Sequence, residues 1–177
     1  MGFLQTFYPA EDRNSTYEID FEALYRSGYR GIIFDIDNTL VMHGAPADDR
    51  AKALFARLAG IGFSCCLLSN NKEQRVRSFR DGVDQRVHYI YDAHKPSTAN
   101  YLRAMELMET DRTNTLFVGD QLFTDVWGAN RAGIHTILVK PIDPHEEIQI
   151  VLKRYLERIV LFFYNRRREQ NEDRNRQ

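Results

Sequence analysis

The chain has 177 residues, of which 43% are hydrophobic and 28% are charged, as is ordinary for a soluble globular protein. Its 24 basic and 25 acidic side chains give a formal net charge of −1, which argues against a nucleic-acid partner held by overall positive charge. This length fits a single domain over residues 1–177 with a sizeable hydrophobic core.

Residues 1–30 form a lead-in to the first predicted strand. Its apolar cluster consists of Phe3, Leu4, Phe7 and Tyr8. We expect this cluster to pack on the body of the protein rather than to form an exposed contact surface. The stretch 20–26 is predicted to be a short helix that ends at Ser27 and Gly28.

A short apolar run from Gly31 to Phe34 predicts a strand buried on both faces. Two carboxylates follow it, Asp35 and Asp37, and alternation along a strand would point both side chains the same way. Carboxylates this close repel each other, so both stay ionised only beside a cation, and otherwise one keeps its proton. The pair therefore suits a divalent metal ion or nucleophilic and acid–base chemistry, although Asp-Asn-Thr would also suit a plain polar turn.

The rest of the chain up to residue 142 alternates between helices and strands. Further helices are predicted over residues 46–59, 73–80, 98–108 and 125–132. Further strands are predicted over residues 63–68, 87–91, 115–118 and 135–139. Such alternation on short links predicts an α/β fold in which a parallel sheet of about five strands lies between two layers of helices.

Polar side chains lie at or just after the carboxyl ends of these strands. They are Asp35, Asp37, Ser69, Asn70, Lys95, Asp120 and Asp125. In parallel sheets, ligands bind beyond this edge, where the strand order reverses. Because four successive strands each bring polar groups to one edge, the pattern favours a functional site over chance placement.

Cys65 and Cys66 are adjacent within an apolar run. Neighbours on a strand face opposite ways, so we expect buried free thiols in a reducing compartment rather than a disulfide. The start has no basic-then-apolar signal pattern, and no apolar run is long enough to span a bilayer. The sequence therefore predicts a cytoplasmic protein.

Four motifs, in order along the chain, resemble those of the haloacid dehalogenase (HAD) phosphatases. Residues 34–40 are Phe-Asp-Ile-Asp-Asn-Thr-Leu and resemble the first motif, DxDxT. Residues 67–70, Leu-Leu-Ser-Asn, resemble the second, a hydrophobic strand that ends in Ser or Thr. Lys95-Pro96 resembles the third, and residues 118–125, Val-Gly-Asp-Gln-Leu-Phe-Thr-Asp, resemble the fourth, GDxxxTD.

The resemblance covers roughly residues 20–165 and is more specific than the superfamily. The triplet at 69–71, Ser-Asn-Asn, and the sequence of residues 133–139 resemble the YqeG-like group of subclass IIIA. That group is related to the mitochondrial phosphatidylglycerophosphate phosphatases. The resemblance implies a Rossmann-like HAD fold with a catalytic core over residues 31–142.

The resemblance also implies a Mg²⁺-dependent phosphomonoesterase. Asp35 would be the nucleophile that forms an aspartyl-phosphate, and Asp37 would protonate the leaving alkoxide and then take a proton from water. The implied metal group consists of Asp35, Asp37 through its backbone carbonyl, Asp120, and Asp125, which would order a metal-bound water or hold Lys95. The implied phosphate-binding group consists of Ser69, Asn70, Lys95 and Thr39, with Thr39 also steadying the loop that carries Asp37.

Lid domains of this superfamily insert after the first motif or between the second and third. Each of these gaps holds little beyond one helix here, so we expect no cap domain or a minimal one, and an open site. An open site suits a phosphate carried on something large, and we rank phosphatidylglycerophosphate ahead of other lipid phosphates and of soluble sugar or nucleotide phosphates. A non-catalytic phosphate-binding module is the alternative, although both carboxylates argue against it. A phosphotransferase would need a lid to exclude water.

Residues 143–177 are predicted to form an amphipathic helix, over 146–166, and a basic tail. From Lys153 onward the sequence has eight basic and four acidic side chains. The apolar stripe of the helix suits packing on the sheet or a homodimer seam, which we favour. The Arg-Arg-Arg cluster at 166–168 would instead suit an anionic membrane surface, so the sequence leaves peripheral membrane attachment open.

Overall fold

Six parallel strands form one sheet at the centre of the computed structural model, which describes residues 3–143. The strands are β1 (Glu11–Arg13), β2 (Gly31–Phe34), β3 (Ser64–Leu68), β4 (His88–Ile90), β5 (Thr115–Gly119) and β6 (His135–Val139). They lie in the order β1-β6-β5-β2-β3-β4. The expectation of about five strands misses β1, because its three charged residues carry no apolar alternation and it lies at the sheet edge, paired with β6.

Five α-helices connect these strands. They are α1 (Phe21–Arg26), α2 (Asp49–Ile61), α3 (Glu73–Val83), α4 (Ala99–Met108) and α5 (Trp127–Ala132). The helix α2 begins at Asp49 rather than at residue 46, because the side chain of Asp48 caps it by accepting from Ala51 N at 2.8 Å. The predicted helix over 125–132 is divided, since residues 122–126 form a π-helical turn before α5.

Both faces of the sheet are covered, as three layers require. Ile32 and Phe34 of β2 belong to one apolar cluster and Ile33 to the other, and all three are fully buried. Helices α1, α2 and α3 contribute to the first cluster, and α4 and α5 to the second. The strand β2, the first one predicted from the sequence, therefore lies at the centre of the core. Burying each of these side chains stabilises the fold by about 1.5–3 kcal/mol.

The strand order reverses at β2, which lies between β3 and β5. Phe34 of β2 is in register with Leu67 of β3 and Val118 of β5, so the segments that follow these three strands leave the sheet side by side. The backbone of Asp35 extends the pairing by one bond, from its N–H to Val118 O at 3.0 Å. The fold thus brings the first, second and fourth motifs to one place.

The lead-in packs on α5 and on the π-helical turn. The ring of Phe7 lies against those of Trp127 and Phe123, with centroids 5.2 and 5.5 Å away. Asn130 Nδ2 donates to two carbonyls of the lead-in, each at 2.9 Å. The expected packing therefore holds for Phe7, whereas the side chain of Tyr8 is 63% exposed.

The two cysteines of β3 are buried and free, as expected. Burial raises the pKa of both thiols, since a thiolate would lose its hydration there. Neither thiol is therefore poised as a nucleophile at neutral pH.

The segments in which a lid would insert are short. One helix, α2, lies between β2 and β3, and α3 lies between β3 and β4. Among residues 3–143, no helix combines the length and the apolar content that crossing a membrane would require. The predicted terminal helix, residues 146–166, lies outside the described residues.

Candidate active site

Lys95 lies between two carboxylates at the carboxyl edge of the sheet. Its Nζ donates to Asp35 Oδ1 at 2.6 Å and to Asp125 Oδ1 at 2.7 Å, and all three side chains are buried. Burial disfavours an isolated charge, but the carboxylates of Asp125 and Asp35 outweigh it and raise the pKa of the Lys95 ammonium. Lys95 is therefore charged at neutral pH.

For Asp35, by contrast, burial outweighs the attraction of the neighbouring charge and disfavours the ionised form. It raises the pKa of that carboxyl to about 7, because the loss of hydration exceeds the stabilisation by Lys95, and the nearby Asp125 adds repulsion. One ammonium cannot neutralise two carboxylates, so this cluster has room for a further proton or cation.

Asp120 adds a third carboxylate to the cluster. One oxygen from each of Asp35, Asp120 and Asp125 lies within 4.8 Å of the others. The hydroxyl of Thr39 donates to Asp120 Oδ1 at 2.9 Å and orients it. Carboxylate oxygens are the ligands that Mg²⁺ prefers, and the excess negative charge favours a cation, so the donor set fits the implied metal.

Gly119 makes room for Asp125. A Cβ atom on Gly119 would lie 2.5 Å from Asp125 Oδ2, closer than any side chain tolerates. The backbone N–H of Gln121, the residue just before the π-helical turn, donates to the same oxygen at 3.2 Å. Such turns recur at functional sites, and here the turn aims Asp125 back over the end of β5.

Asp37 has different partners from Asp35. Its Oδ1 accepts from the backbone N–H of Gly44 and from Arg75 Nη2, both at 2.8 Å, and its Oδ2 accepts from Asn71 Nδ2 at 2.5 Å. Its side chain is not part of the carboxylate cluster, so any role as metal ligand falls to its backbone carbonyl, as the resemblance implies. The two neighbouring carboxylates therefore occupy distinct environments.

A tight loop, rather than strand alternation, places Asp37. The strand β2 ends at Phe34, and Asn38 follows in the left-handed region with φ of 64°. Its N–H donates to Val41 O at 2.7 Å, and Leu40 N donates to Ile36 O at 2.9 Å. The expectation that strand alternation aligns the two carboxylates is therefore wrong, because Asp37 lies in this loop beyond the end of the strand.

The lead-in supports the loop from outside. Tyr17 Oη donates to Leu40 O at 2.6 Å, and Thr16 Oγ1 donates to Thr39 O at 2.8 Å. Thr16 is buried and Tyr17 is half-buried. The sequence pattern does not reveal this support, because Thr16 and Tyr17 lie in a segment without periodicity.

Ser69 and Asn70 follow β3 and lie beside Lys95. The amide of Asn70 makes two bonds with the backbone of Lys95, accepting from its N–H at 2.7 Å and donating to its carbonyl at 3.3 Å. Ser69 is buried, and its Oγ accepts from the N–H of Asn71 at 3.2 Å. Asn70 thus fixes the lysine, and Ser69 lies at the start of the turn into α3.

The structure brings together all of the predicted site residues through these contacts. It adds Arg75 and the backbone of Gly44, which sequence reasoning missed, and gives Asn71 a partner that the triplet alone does not indicate. One signal for Arg75 was available: a basic side chain in the first turn of a helix opposes the helix dipole and so calls for a partner.

Comparison with known proteins identifies the family. The model of the family described as HAD-hydrolase-like matches residues 93–141. "Probable phosphatase YqeG" of Bacillus subtilis (strain 168) is 36% identical over 156 residues, which cover 88% of this chain and 90% of that protein. Phosphatidylglycerophosphate phosphatase 1, chloroplastic/mitochondrial, of Arabidopsis thaliana is 28% identical over 159 residues, 84% of this chain and 44% of that longer protein.

A solved structure agrees on the fold. The crystal structure of a HAD phosphatase from Thermococcus onnurineus matches with a TM-score of 0.50 at 14% identity, over 67% of this chain and 90% of that one. Together with the near full-length similarity to YqeG, these findings establish that the chain belongs to the YqeG-like HAD phosphatases, hydrolases that act on phosphate monoesters.

Proposed function

We propose that this phosphatase works through an aspartyl-phosphate on Asp35, with Asp37 as general acid and base. The observation that carries the proposal is the different surroundings of the two carboxylates. Asp35 contacts Lys95 within the carboxylate cluster, whereas Asp37 is held by Asn71, Arg75 and Gly44. With Mg²⁺ in the carboxylate cluster, Asp35 would stay ionised for attack, whereas Asp37 lies outside the cluster and would exchange protons with the leaving group and water.

The first half of the reaction transfers the phosphoryl group to Asp35. A carboxylate oxygen of Asp35 forms a bond to phosphorus as the bond from phosphorus to the leaving oxygen breaks. Asp37 gives its proton to that leaving oxygen, so that an alcohol departs rather than an alkoxide. Lys95 neutralises negative charge on the transferring group, and the hydroxyl of Ser69 donates to a phosphoryl oxygen.

The second half hydrolyses the intermediate. A water oxygen bonds to phosphorus and its proton passes to Asp37, while the bond between phosphorus and Asp35 breaks. Inorganic phosphate leaves, and both carboxyl groups return to their starting states. Asp35, Asp120 and the backbone carbonyl of Asp37 would hold Mg²⁺ beside Asp125, and the ion would supply positive charge next to the phosphoryl oxygens.

For the substrate we propose phosphatidylglycerophosphate or another lipid phosphate. Among the described residues, six large hydrophobic residues are exposed, and five of them follow the carboxyl ends of strands, at the edge of the sheet that carries the site: Met42, Tyr91, Leu122, Phe123 and Ile142. We call these five the apolar rim. An apolar rim around a polar site suits a substrate with a charged head and an apolar body. The similarity to phosphatidylglycerophosphate phosphatase 1 of Arabidopsis thaliana supports the same substrate.

Phosphate release from two kinds of substrate tests the proposal. We expect Mg²⁺-dependent turnover of phosphatidylglycerophosphate in mixed vesicles, and slower turnover of sugar and nucleotide phosphates. Asp35→Asn should lose nearly all turnover, and excess chelator should abolish it in the native protein. Full activity in Asp35→Asn would contradict the nucleophile, and faster turnover of soluble phosphates would contradict the lipid substrate.

A further inference from the structure

Three donors from separate segments hold the carboxylate of Asp37. Gly44 N and Arg75 Nη2 both bond Oδ1, and Asn71 Nδ2 bonds Oδ2. We propose that Arg75 is a positioning residue for Asp37, an inference that rests on the proposed function. It fixes Oδ1 and leaves Oδ2 as the oxygen that exchanges a proton with the leaving group.

The number of donors distinguishes the two oxygens. All three partners only donate hydrogens, but Gly44 N and Arg75 Nη2 together occupy both lone pairs of Oδ1, whereas Oδ2 accepts from Asn71 Nδ2 alone among the described residues. Oδ2 is bonded by the amide of Asn71, which also lies 3.3 Å from Ser69 Oγ on the phosphate-binding side. A lone pair of Oδ2 therefore remains for proton exchange, on the side where Asn71 joins Asp37 to the phosphate-binding Ser69.

Apart from Asp37, the surroundings of Arg75 do not stabilise its charged side chain. It lies in the first turn of α3, where the helix dipole disfavours a cation. Its Nε is buried and has no hydrogen-bond partner among the residues that the structure describes, which is unfavourable. The guanidinium carbon lies 5.5 Å from the centroid of the Phe79 ring, a weak cation–π contact. The ion pair with Asp37, at 2.8 Å, is the interaction that offsets these costs.

Leaving groups of different quality separate positioning from mere stabilisation of the fold. A nitrophenolate leaves readily without a proton, whereas a phenolate depends more on the acid. In Arg75→Ala we expect kcat/KM for phenyl phosphate to fall about tenfold or more, and kcat/KM for 4-nitrophenyl phosphate to change by less than about threefold. The ratio kcat/KM reports transfer to Asp35 and not the later hydrolysis, which both substrates share. Arg77→Ala is the matched control on the same helix, because the Arg77 side chain is 62% exposed and should change neither rate.

A double-mutant cycle gives an independent readout. If Arg75 acts through Asp37, Arg75→Ala should cause no further loss in an Asp37→Asn background. Arg75→Gln, which keeps most of the side-chain volume, should show the same leaving-group effect if Arg75→Ala does not fold. Equal losses for both phosphates, or a full additional loss in Asp37→Asn, would overturn the assignment. No phosphate release by the native protein from the two aryl phosphates or from phosphatidylglycerophosphate vesicles would overturn the proposed function and this inference with it.

Discussion

At the scale of single residues, Lys95 is the strongest determinant of the site. Its ammonium is shared by Asp35 and Asp125 and is nearly inaccessible to solvent. Asn70 holds its backbone with two hydrogen bonds. The lysine is therefore fixed at both its main chain and its charged end, which suits a group that must meet a phosphoryl oxygen without rearranging.

Lys95→Ala should lower both stability and turnover. It leaves Asp35 and Asp125 buried without their cation, and breaking a buried ion pair typically costs about 3–5 kcal/mol. We expect a loss of this size in the free energy of unfolding, measured with urea at neutral pH. Lys72→Ala is the control, since Lys72 is 85% exposed and its pair with Asp92 should contribute about 0–1 kcal/mol.

A small effect of Lys95→Ala, no larger than that of Lys72→Ala, would show that the carboxylates do not need the lysine. Lys95→Arg should rescue turnover poorly, because the planar guanidinium cannot reproduce a compact ammonium in a buried space. Turnover at the native rate in Lys95→Arg would mean that any positive charge suffices there.

Gly119→Ala should displace Asp125. The added Cβ would lie 2.5 Å from Asp125 Oδ2, so the carboxylate must turn away from the cluster it shares with Asp35 and Asp120. We expect the Mg²⁺ concentration that gives half-maximal turnover to rise about tenfold or more, as a disturbed metal shell usually shows. Gly60→Ala is the control: nothing lies within 4 Å of its Cβ, and it should stabilise α2 by up to about 1 kcal/mol.

Strand-end reasoning predicts which residues meet, but not which atoms bond. It gathers Asp35, Lys95, Asp120 and Asp125 correctly, because parallel strands end at a common edge. It does not predict that Asn70 bonds the backbone of Lys95, since amide geometry depends on the turn that follows β3. It also misses the role of Arg75, because the partner of a helical side chain depends on how that helix packs.

At the scale of elements, the loop of residues 36–41 depends on the lead-in. Tyr17 and Thr16 bond two of its carbonyls, at Leu40 and Thr39. The loop carries Asp37, so a segment with no strand or helix pattern helps to define the site. The sequence pattern also fails to predict the edge strand β1, because this strand depends on pairing with β6 and has no strand pattern in its own residues.

Tyr17→Phe should loosen this loop in a pH-dependent way. Burial, with the nearby Asp48 adding repulsion, raises the pKa of Tyr17 from 10.0 to about 12, so the folded state favours the neutral phenol. Its contribution, about 0.5–1.5 kcal/mol for one hydrogen bond, is therefore present below pH 10 and is lost as the pH rises towards 12. Urea unfolding of both proteins at pH 8 and pH 11 tests this, and a difference that does not shrink at pH 11 would contradict it.

At the scale of the whole molecule, the apolar rim goes together with the lack of an inserted lid domain among residues 3–143. Only α2 and α3 occupy the described segments in which a lid could insert, so the carboxyl edge is left to loops. These loops expose Met42 and Ile142 beside the loop of Asp37, and Ile142 N donates to Asn38 O at 3.0 Å. The proposed lipid substrate would bring its headgroup to the carboxylates and its apolar part to the apolar rim.

Replacing Met42 and Ile142 together by Gln should impair lipid turnover selectively. The transfer of one large apolar side chain from water into lipid is favourable by about 1.5–3 kcal/mol. Losing two such side chains should therefore lower kcat/KM on phosphatidylglycerophosphate vesicles about tenfold or more. Turnover of 4-nitrophenyl phosphate should not change. Tyr8→Gln is the control, because Tyr8 is exposed but precedes β1 and lies outside the apolar rim. Equal effects on both substrates would argue against a role for the apolar rim.

The contacts of the site join segments that are far apart in the chain. Lys95 meets Asp35 across 60 residues, and Thr39 meets Asp120 across 81. Each such contact closes a long loop, whose entropy must be lost before the contact forms. No isolated fragment of the sheet holds all these groups, so the catalytic constellation should arise late, when β2, β3 and β5 have joined. During refolding, enzymatic activity should therefore return with the slowest structural phase, well after helical signal has recovered.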